Sequence, residues 1–260
     1  MEKTWIMLAD FHSGSTTGLT SDPNNEIQEK LLQLYKSCIA KLGIKPNVVI
    51  LDGDGIDGAD KKGKDIDTSI INDQVNDAAK LLLMWDAVDE YIIVSGTPYH
   101  TSVDGEPLDI NIKSSLSDQL RMMGNVTTKT TYTRKDKSII NGWFRLETRH
   151  KIGRSTIPHG KSTPQVRAKI WNVLNAALKH DHWAHLIVFA HVHYWNLQRD
   201  SFGTVLSLPC WQAIGSRYGD EECDGHIDIG ALKLIVGDEP EWNLTEDIYP
   251  ASMTSRWESR

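Results

Sequence analysis

The feature that most constrains the fold is a run of four apolar residues, 187–190, that leads directly into His191 and His193. A short apolar run of this kind predicts a buried strand. Histidines at its end would lie beyond the carboxyl end of the strand, where open α/β sheets place their binding sites. Taken alone, two histidines one residue apart are more often a surface or packing pair than a metal site. Whether His191 and His193 belong to a metal site must therefore be judged from the rest of the chain.

Three earlier apolar runs, at residues 4–9, 47–51 and 91–94, also predict buried strands. Helical spacing of apolar residues predicts a helix after each of them, and the first helix should stop at Gly43. Every one of these strands is followed by acidic or histidine residues, namely Asp10, His12, Asp52, Asp54, Asp57 and His100. The first half of the chain thus has the order of a βαβαβ unit.

The second half has a more antiparallel pattern. Residues 126–134 and 138–148 predict a hairpin about a turn at 135–137, and Arg149 and His150 follow its second strand. A helix is predicted at residues 163–180, and further strands at 195–199, 204–208 and 227–236. This order predicts an α/β fold with a mixed sheet, or two packed sheets, and helices outside. We expect a single domain over residues 1–247 and a polar tail over residues 248–260.

Composition supports a globular domain and excludes several other classes. The 260 residues are 40% hydrophobic, which argues against disorder. A net charge of −7 argues against a dedicated duplex-DNA surface, although bound metal cations would still admit a phosphate ester. The three cysteines have no metal-ligand spacing, no apolar run approaches the ~20 residues of a membrane span, and the N-terminus does not resemble a signal peptide. We therefore expect a cytoplasmic protein without membrane contact and leave the oligomeric state open.

Six of the residues that follow strands form a donor set of two carboxylates and four imidazoles: Asp10, His12, Asp54, His150, His191 and His193. A mixed oxygen and nitrogen set suits two divalent transition metal ions, with Mn²⁺ expected first and Fe, Zn or Ni as alternatives. Two such ions, ~3.5–4 Å apart, need a bridging carboxylate. Asp54 is the best bridge, because the glycines beside it let the backbone come close. The Asp-Gly pair at Asp52 favours a turn instead.

The same residues resemble the motifs of the calcineurin-like metallophosphoesterase superfamily, which are Asp-x-His, Gly-Asp-x-x-Asp, Gly-Asn-His, a lone His and Gly-His-x-His. The corresponding segments, in the same order, are Asp10-Phe11-His12, Gly53-Asp54-Gly55-Ile56-Asp57, Gly96-Thr97-Pro98-Tyr99-His100, His150 and Ala190-His191-Val192-His193. The resemblance covers residues 10–193 and implies a four-layer α/β/β/α fold, in which mixed sheets pack as a central sandwich flanked by helices. It is specific for the superfamily and says little about the substrate.

The resemblance also implies a role for each residue. The first metal would be held by Asp10, His12, Asp54 and His193, and the second by Asp54, His150 and His191. His100 would donate a proton to the leaving oxygen or stabilise the transition state. Asp57 would orient His100.

Two positions depart from the superfamily pattern. Ala190 stands where glycine is usual, and a small residue should be tolerated there. Thr97 is nearest to the position of the missing asparagine, and two extra residues precede His100. Thr97 could ligate the second metal through its hydroxyl or through water, or not ligate it at all. Alternatively, His100 could itself take the ligand position.

The implied activity is hydrolysis of phosphate esters by a hydroxide that bridges two metal ions. A phosphodiesterase or nuclease that acts on nucleotides or nucleic-acid ends is expected first, and a phosphomonoesterase is the alternative. A metal-binding interaction module that has lost catalysis and a metal-independent α/β domain are rivals from other classes. Candidate hydrogen-bond donors to the phosphate oxygens are His100 and, after it, Arg154 or Arg149. The aromatic residues that could stack on a base, or belong to the core, are Tyr99, Tyr194, Trp195 and Trp211.

Overall fold

A computed structural model describes residues 1–43, 45–58, 66–103, 106–153, 160–214 and 227–250, without the side chains of residues 101–103, 106 and 250. The first half alternates strands and helices as predicted, and its main elements are β1 (Lys3–Leu8), α1 (Glu26–Leu42), β2 (Val48–Asp52), α2 (Ile71–Leu82) and β3 (Glu90–Val94). A short helix and two short strands follow, and then a longer helix: α3 (Pro98–Thr101), β4 (Ser102–Val103), β5 (Glu106–Pro107) and α4 (Asp109–Met122).

The second half contains eight strands and one helix among the described residues. In chain order they are β6 (Lys129–Thr133), β7 (Asp136–Ile140), β8 (Phe144–Thr148), α5 (Thr163–Leu178), β9 (Leu186–Phe189), β10 (Asn196–Asp200), β11 (Gly203–Ser207), β12 (Asp228–Val236) and β13 (Trp242–Pro250). None of the helices in the described ranges is both long and apolar enough to cross a membrane.

The strands form two mixed sheets and one small two-stranded ladder. The first sheet has the order β13-β12-β1-β2-β3-β6, with β1, β2, β3 and β6 parallel to one another. The second has the order β10-β11-β9-β8-β7, with β11, β9 and β8 parallel. The parallel strands of the first sheet are linked by helices, because a parallel pair needs a long crossover connection. The remaining ladder pairs β4 with β5.

Alternation along single strands shows how the sheets and helices are layered. In β1, Trp5 and Met7 pack against the second sheet, whereas Ile6 and Leu8 pack in the core under α1 and α2. In β9, Val188 faces the first sheet and Phe189 lies in the core beneath α5. Successive side chains of a strand point to opposite faces, so each sheet is covered on both sides. The layers are therefore α/β/β/α, and the predicted fold class is confirmed.

The predicted hairpin between residues 126–134 and 138–148 is wrong. The first of these segments contains β6, which crosses over through α4 and pairs in parallel with β3 in the other sheet. The second segment is itself a hairpin of β7 and β8, with its turn at Asn141 and Gly142. Both turn residues have positive φ, 52° and 79°, and an Asn-Gly pair is the strongest short-range signal for such a turn.

The sequence also predicted a polar tail from residue 248, and this boundary is wrong by three residues. β13 continues to residue 250 and pairs along its whole length with β12, so that Ile248 lies opposite Gly230. The strand was missed because it is a half-exposed edge strand in which Glu246 interrupts the alternation of Trp242, Leu244 and Ile248. Residues 251–260 of the predicted tail lie outside the described ranges.

The pairing of β12 with β13 can be tested at Gly230. A Cβ atom there would lie 2.1 Å from the carbonyl oxygen of Asp247, and the backbone has a φ of 155°. Gly230→Ala should lower the free energy of unfolding by more than ~2 kcal/mol, because the clash adds to backbone strain. Urea denaturation measures the loss.

Gly142→Ala is the matched control. Its φ of 79° is also positive, but nothing lies within 4 Å of the added Cβ atom. Its cost should be only ~1 kcal/mol, from backbone strain alone. Equal losses in the two variants would contradict the close approach of β13 to β12.

Candidate metal centre

The predicted ligands lie just beyond the carboxyl ends of parallel strands from both sheets. Asp10 and His12 follow β1, Asp54 follows β2, His150 follows β8, and His191 and His193 follow β9. All six are at least four-fifths buried. The two sheets thus meet at one end of the sandwich in a cluster of carboxylates and imidazoles.

Backbone geometry explains how residues only two positions apart reach the same site. The five residues in question have φ between 43° and 72°: Asp10, His12, Asp54, His191 and His193. Aspartate and histidine are among the few non-glycine residues enriched in this left-handed region. In an extended strand, residues two positions apart face the same side but lie ~7 Å apart. The turn after each strand brings such a pair closer together, so that Nε2 of His12 lies 3.9 Å from Oδ1 of Asp10.

Gly53 fits the same tight arrangement. Its φ is 75°, and a Cβ atom there would lie 2.3 Å from Nδ1 of His150. A Cβ atom at Gly96 would lie 2.1 Å from a carboxylate oxygen of Asp54. Glycine is required at both positions because the backbone itself forms the wall of the cluster.

The first group of donors consists of Asp10, His12 and His193. One donor atom from each lies within 4.8 Å of the others. The Nε2 atoms of His12 and His193 are 3.3 Å apart, and Oδ1 of Asp10 is 3.5 Å from the latter. That oxygen is buried and accepts no hydrogen bond from any described residue. A buried carboxylate oxygen facing imidazole nitrogens fits a divalent cation, because such an oxygen is costly to leave unsatisfied.

The second group consists of Asp54, His150 and His191. Oδ2 of Asp54 is 3.0 Å from Nε2 of His150 and 4.0 Å from Nδ1 of His191. Nδ1 of His150 lies 2.7 Å from the carbonyl oxygen of Asp52, which can only accept a hydrogen bond. Nδ1 therefore carries the hydrogen, and in the neutral ring Nε2 has a lone pair for a metal. The donor atoms present fit a second cation.

A third group joins Asp57, His12 and His100. Oδ1 of Asp57 lies 3.2 Å from Nδ1 of His12 and 2.9 Å from Nδ1 of His100. The two rings are perpendicular, with centroids 4.5 Å apart. Asp57 thus contacts His12 as well as the histidine that it was expected to orient. His100 lies beside His12 and does not belong to the group of Asp54, His150 and His191.

Thr97 contacts the carboxylate of Asp54. Its backbone N–H donates to Oδ1 at 2.6 Å, and its hydroxyl lies 3.0 Å from Oδ2 and 3.1 Å from Oδ1. Threonine here is a hydrogen-bond donor to the carboxylate that was predicted to bridge the metals. This role was not among those expected from the sequence.

The buried charges shift one another's pKa values. Burial alone would raise the pKa of the Asp54 carboxyl, but the neighbouring imidazoles, above all His150, hold it well below its usual value. Burial would lower the pKa of His150, but Asp54 and Asp10 raise it well above the usual value. Burial and the neighbouring His150 lower the pKa of His191 to about 4. These directions favour an ionised Asp54 and a protonated His150, each of which stabilises the charge of the other.

The aromatic candidates divide between the core and the surface. Trp211 and Tyr194 are buried, so they belong to the core and cannot stack on a ligand in this conformation. Trp195 is half-buried, whereas Tyr99 is 51% exposed and packs edge-on against His100, with ring centroids 4.9 Å apart. Arg149 lies over the ring of Phe189 on the outer side of the second sheet. Arg154 lies outside the described residues.

Two supporting residues were not predicted from the sequence. The hydroxyl of Thr148 donates to a carboxylate oxygen of Asp52 at 2.8 Å, in a buried contact between the two sheets. The backbone N–H of Trp211 donates to the carbonyl oxygen of Asp10 at 3.0 Å and fixes the turn after β1. Neither contact can be recognised from a local sequence motif, because each joins segments far apart in the chain.

No protein-family model matches the chain, and no curated protein matches its sequence. Solved structures with a similar fold include a novel archaeal phosphodiesterase, at 11% identity and a TM-score of 0.46 over 94% of this chain and 99% of the other. Vps29 from Entamoeba histolytica in complex with zinc has the same identity and TM-score over 95% and 99% of the two chains. A predicted phosphoesterase from Streptococcus pneumoniae has 9% identity and a TM-score of 0.39 over 96% and 98%.

In this chain, the four layers agree with the predicted α/β/β/α fold, and the motif residues converge at one end of the sandwich.

The contact between Thr148 and Asp52 can be tested by an isosteric change. Thr148→Val removes the hydroxyl donor, and neither carboxylate oxygen of Asp52 then has a hydrogen-bond partner among the described residues. We expect a loss of ~1–3 kcal/mol in the free energy of unfolding, measured by urea denaturation in the presence of a chelator.

Thr133→Val is the control, because the hydroxyl of Thr133 makes its hydrogen bond at an exposed position. Its effect should stay within ~0.5 kcal/mol. A Thr148→Val variant as stable as the control would show that the buried contact does not hold the sheets together.

Proposed function

We propose that the chain is a dinuclear metal-dependent phosphoesterase, and that it acts on phosphodiesters of nucleotides or nucleic-acid ends. The observation that carries this proposal is the pair of adjacent buried donor groups, Asp10-His12-His193 and Asp54-His150-His191. Oδ1 of Asp10 lies 3.8 Å from Nε2 of His150, so the two groups are in direct contact. A single metal ion would leave one group of buried donors without a cation.

The residues that would hold the ions follow from the two groups. Asp10, His12 and His193 would bind the first ion, and His150 and His191 the second, with Asp54 shared between them. Mn²⁺ is the ion expected first, and Fe, Zn or Ni would also be accepted by a mixed set of carboxylate and imidazole donors. When bound, the two ions would supply Lewis acidity toward phosphate oxygens and a hydroxide nucleophile near neutral pH.

The residues behind the ligands set their orientation. Asp57 accepts from Nδ1 of His12, which leaves Nε2 directed to the first group. The carbonyl oxygen of Asp52 does the same for His150. Thr97 fixes the carboxylate plane of Asp54 by two donors. Such partners hold the tautomer and orientation of metal ligands, and their loss typically costs ~10–100-fold in metal affinity or activity.

His100 is the candidate proton donor to the leaving oxygen. Asp57 holds its Nδ1 atom, so the ring is oriented by the same carboxylate that orients His12. The exposed ring of Tyr99 beside it could stack on a base carried by the leaving group. A proton donor beside a ring that can stack on a base favours nucleotide diesters over simple monoesters.

We predict close to two equivalents of transition metal per chain. Asp54→Asn should lower the metal content at both positions and abolish turnover, because one carboxylate serves both ions. His193→Ala should lose chiefly one equivalent. Elemental analysis of the purified protein measures both, and added Mn²⁺ should raise the melting temperature of the wild type.

The control for metal content is His180→Asn. His180 is an exposed histidine with a φ of 50°, a conformation that asparagine tolerates. This variant should keep both ions. A metal-free wild type whose melting temperature does not respond to Mn²⁺, Zn²⁺ or Ni²⁺ would exclude the proposed function.

We further predict that His100→Ala keeps both metal ions but loses ~10²–10⁴-fold in turnover of diesters with poor leaving groups. A nitrophenyl diester needs little protonation of its leaving group and should lose much less. His100→Asn should behave in the same way. Loss of one metal ion from His100→Ala would instead identify His100 as the replacement for the missing asparagine.

Substrate class is tested with a panel of mono-, di- and cyclic nucleotides and short oligonucleotides in the presence of Mn²⁺. Diesters should be turned over faster than the corresponding monoesters. The reverse order would make the chain a phosphatase. Two bound metals without turnover of any member would favour the interaction module that has lost catalysis.

A further inference from the structure

The outer side of the second sheet carries a basic surface on an otherwise acidic protein. We define the basic face by five cations and two tryptophans: Lys135, Lys137, Arg145, Arg149, Lys179, Trp171 and Trp183. The cations come from the β7–β8 hairpin and its flanks and from the end of α5. These residues line two depressions that share His182.

Strand register places the hairpin cations on one side. Lys137 lies opposite Glu147, and Arg145 lies two residues earlier on the same strand. The alternate residues Phe144 and Leu146 point inward to the core between the sheets. Because side chains alternate along a strand, Arg145, Glu147 and Arg149 all point outward.

The basic face has more positive charge than its carboxylates can neutralise. Five cations line the two depressions, against two carboxylates, Glu147 and Asp181. Three of the cations share the carboxylate of Glu147, since Lys135 lies at 2.7 Å, Lys137 at 3.6 Å and Arg149 at 3.7 Å. The chain as a whole has a net charge of −7, so this excess is local. A concentrated positive field of this kind attracts polyanions.

Aromatic rings lie among the cations. Trp171 is 54% exposed at the first depression, and Trp183 is 45% exposed at the second. The second depression has a volume of about 330 Å³, which is at the lower end of the ~300–1,000 Å³ of ligand pockets and can take one base. A tryptophan ring offers a large planar surface on which a base can stack.

We propose that the basic face binds single-stranded nucleic acid, with phosphates on the lysines and arginines and bases stacked on the tryptophans. Cations that follow the backbone and aromatic rings that stack on bases are the two elements of sequence-tolerant single-strand binding. A duplex would keep its bases stacked inside and could use only the cations. An acidic protein segment could likewise use the cations, but it carries no regular series of planar rings.

Arg149 belongs to the basic face and directly precedes His150, which belongs to the second donor group. Binding itself does not depend on the proposed hydrolysis, and it can be measured without metal.

The experiment is fluorescence anisotropy with a 5′-labelled 20-nucleotide single-stranded DNA in EDTA, over a series of salt concentrations. The wild type should bind, and its affinity should fall as salt rises. Lys137→Glu/Lys179→Glu should weaken binding at least ~10-fold and flatten the salt dependence. Trp171→Ala/Trp183→Ala should weaken binding ~10-fold or more through loss of stacking.

Matched variants control for net charge and for loss of an exposed ring. Lys36→Glu/Lys80→Glu makes the same charge change on α1 and α2, where both lysines are exposed. Phe202→Ala removes an exposed ring from the β10–β11 turn. Both should bind within ~2-fold of the wild type.

Several results would overturn the proposal. They are absence of binding at low salt, equal losses in the surface and control variants, and normal binding by the tryptophan double variant. A duplex of the same sequence that binds as tightly, or a poly-glutamate that competes as well as an oligonucleotide, would also overturn it. Circular dichroism of each variant establishes that it is folded before binding is compared.

Discussion

The rest of the structure depends on the buried contact between the end of β2 and the end of β8. The carbonyl oxygen of Asp52 accepts from Nδ1 of His150, and its carboxylate accepts from the hydroxyl of Thr148. These two bonds join the first sheet to the second at the candidate metal centre. Gly53 has no side chain in their way, and its positive φ turns Asp54 toward the ligands. One dipeptide therefore sets both the spacing of the sheets and the position of the proposed bridging carboxylate.

This arrangement places many ionisable groups in a small buried volume. Without a cation, positive charge on His150 offsets the two carboxylates, which agrees with the direction in which their pKa values shift. Binding of divalent ions would replace that proton charge, since ligating imidazoles must be neutral. Metal affinity and folding stability should consequently be linked in this protein, because the same donors serve both.

The sequence predicted the fold and the site unequally, for physical reasons. β1, β2 and β9 were predictable because they are short, apolar and followed by residues that tolerate positive φ. β13 was missed because Glu246 interrupts the alternation of its apolar residues, and its pairing with β12 identifies it as a strand. The Asn141-Gly142 pair is itself a turn signal. The polar segment at 135–137, which was predicted to be the turn, instead lies between β6 of the first sheet and the start of β7 in the second.

Within the site, the candidate ligands could be predicted from the sequence, but the hydrogen bonds that hold the site together could not. Local motifs contain the residues that approach the cluster from strand ends. Contacts such as Thr148 with Asp52 join segments 96 positions apart and follow only from the packing of the two sheets. The shared use of Asp57 by His12 and His100 likewise depends on three separate loops meeting in space.

The departure at Thr97 has a consequence for the two metal positions. Asparagine can offer a neutral oxygen ligand, whereas Thr97 contributes its N–H and hydroxyl as donors to Asp54. A carboxylate has about four lone-pair sites, so Asp54 can accept these bonds and still serve metal ions. The second position then has only Asp54, His150 and His191 as protein donors, one fewer than the four proposed for the first. It should bind its ion more weakly, and it leaves more of the coordination sphere open for a phosphate oxygen.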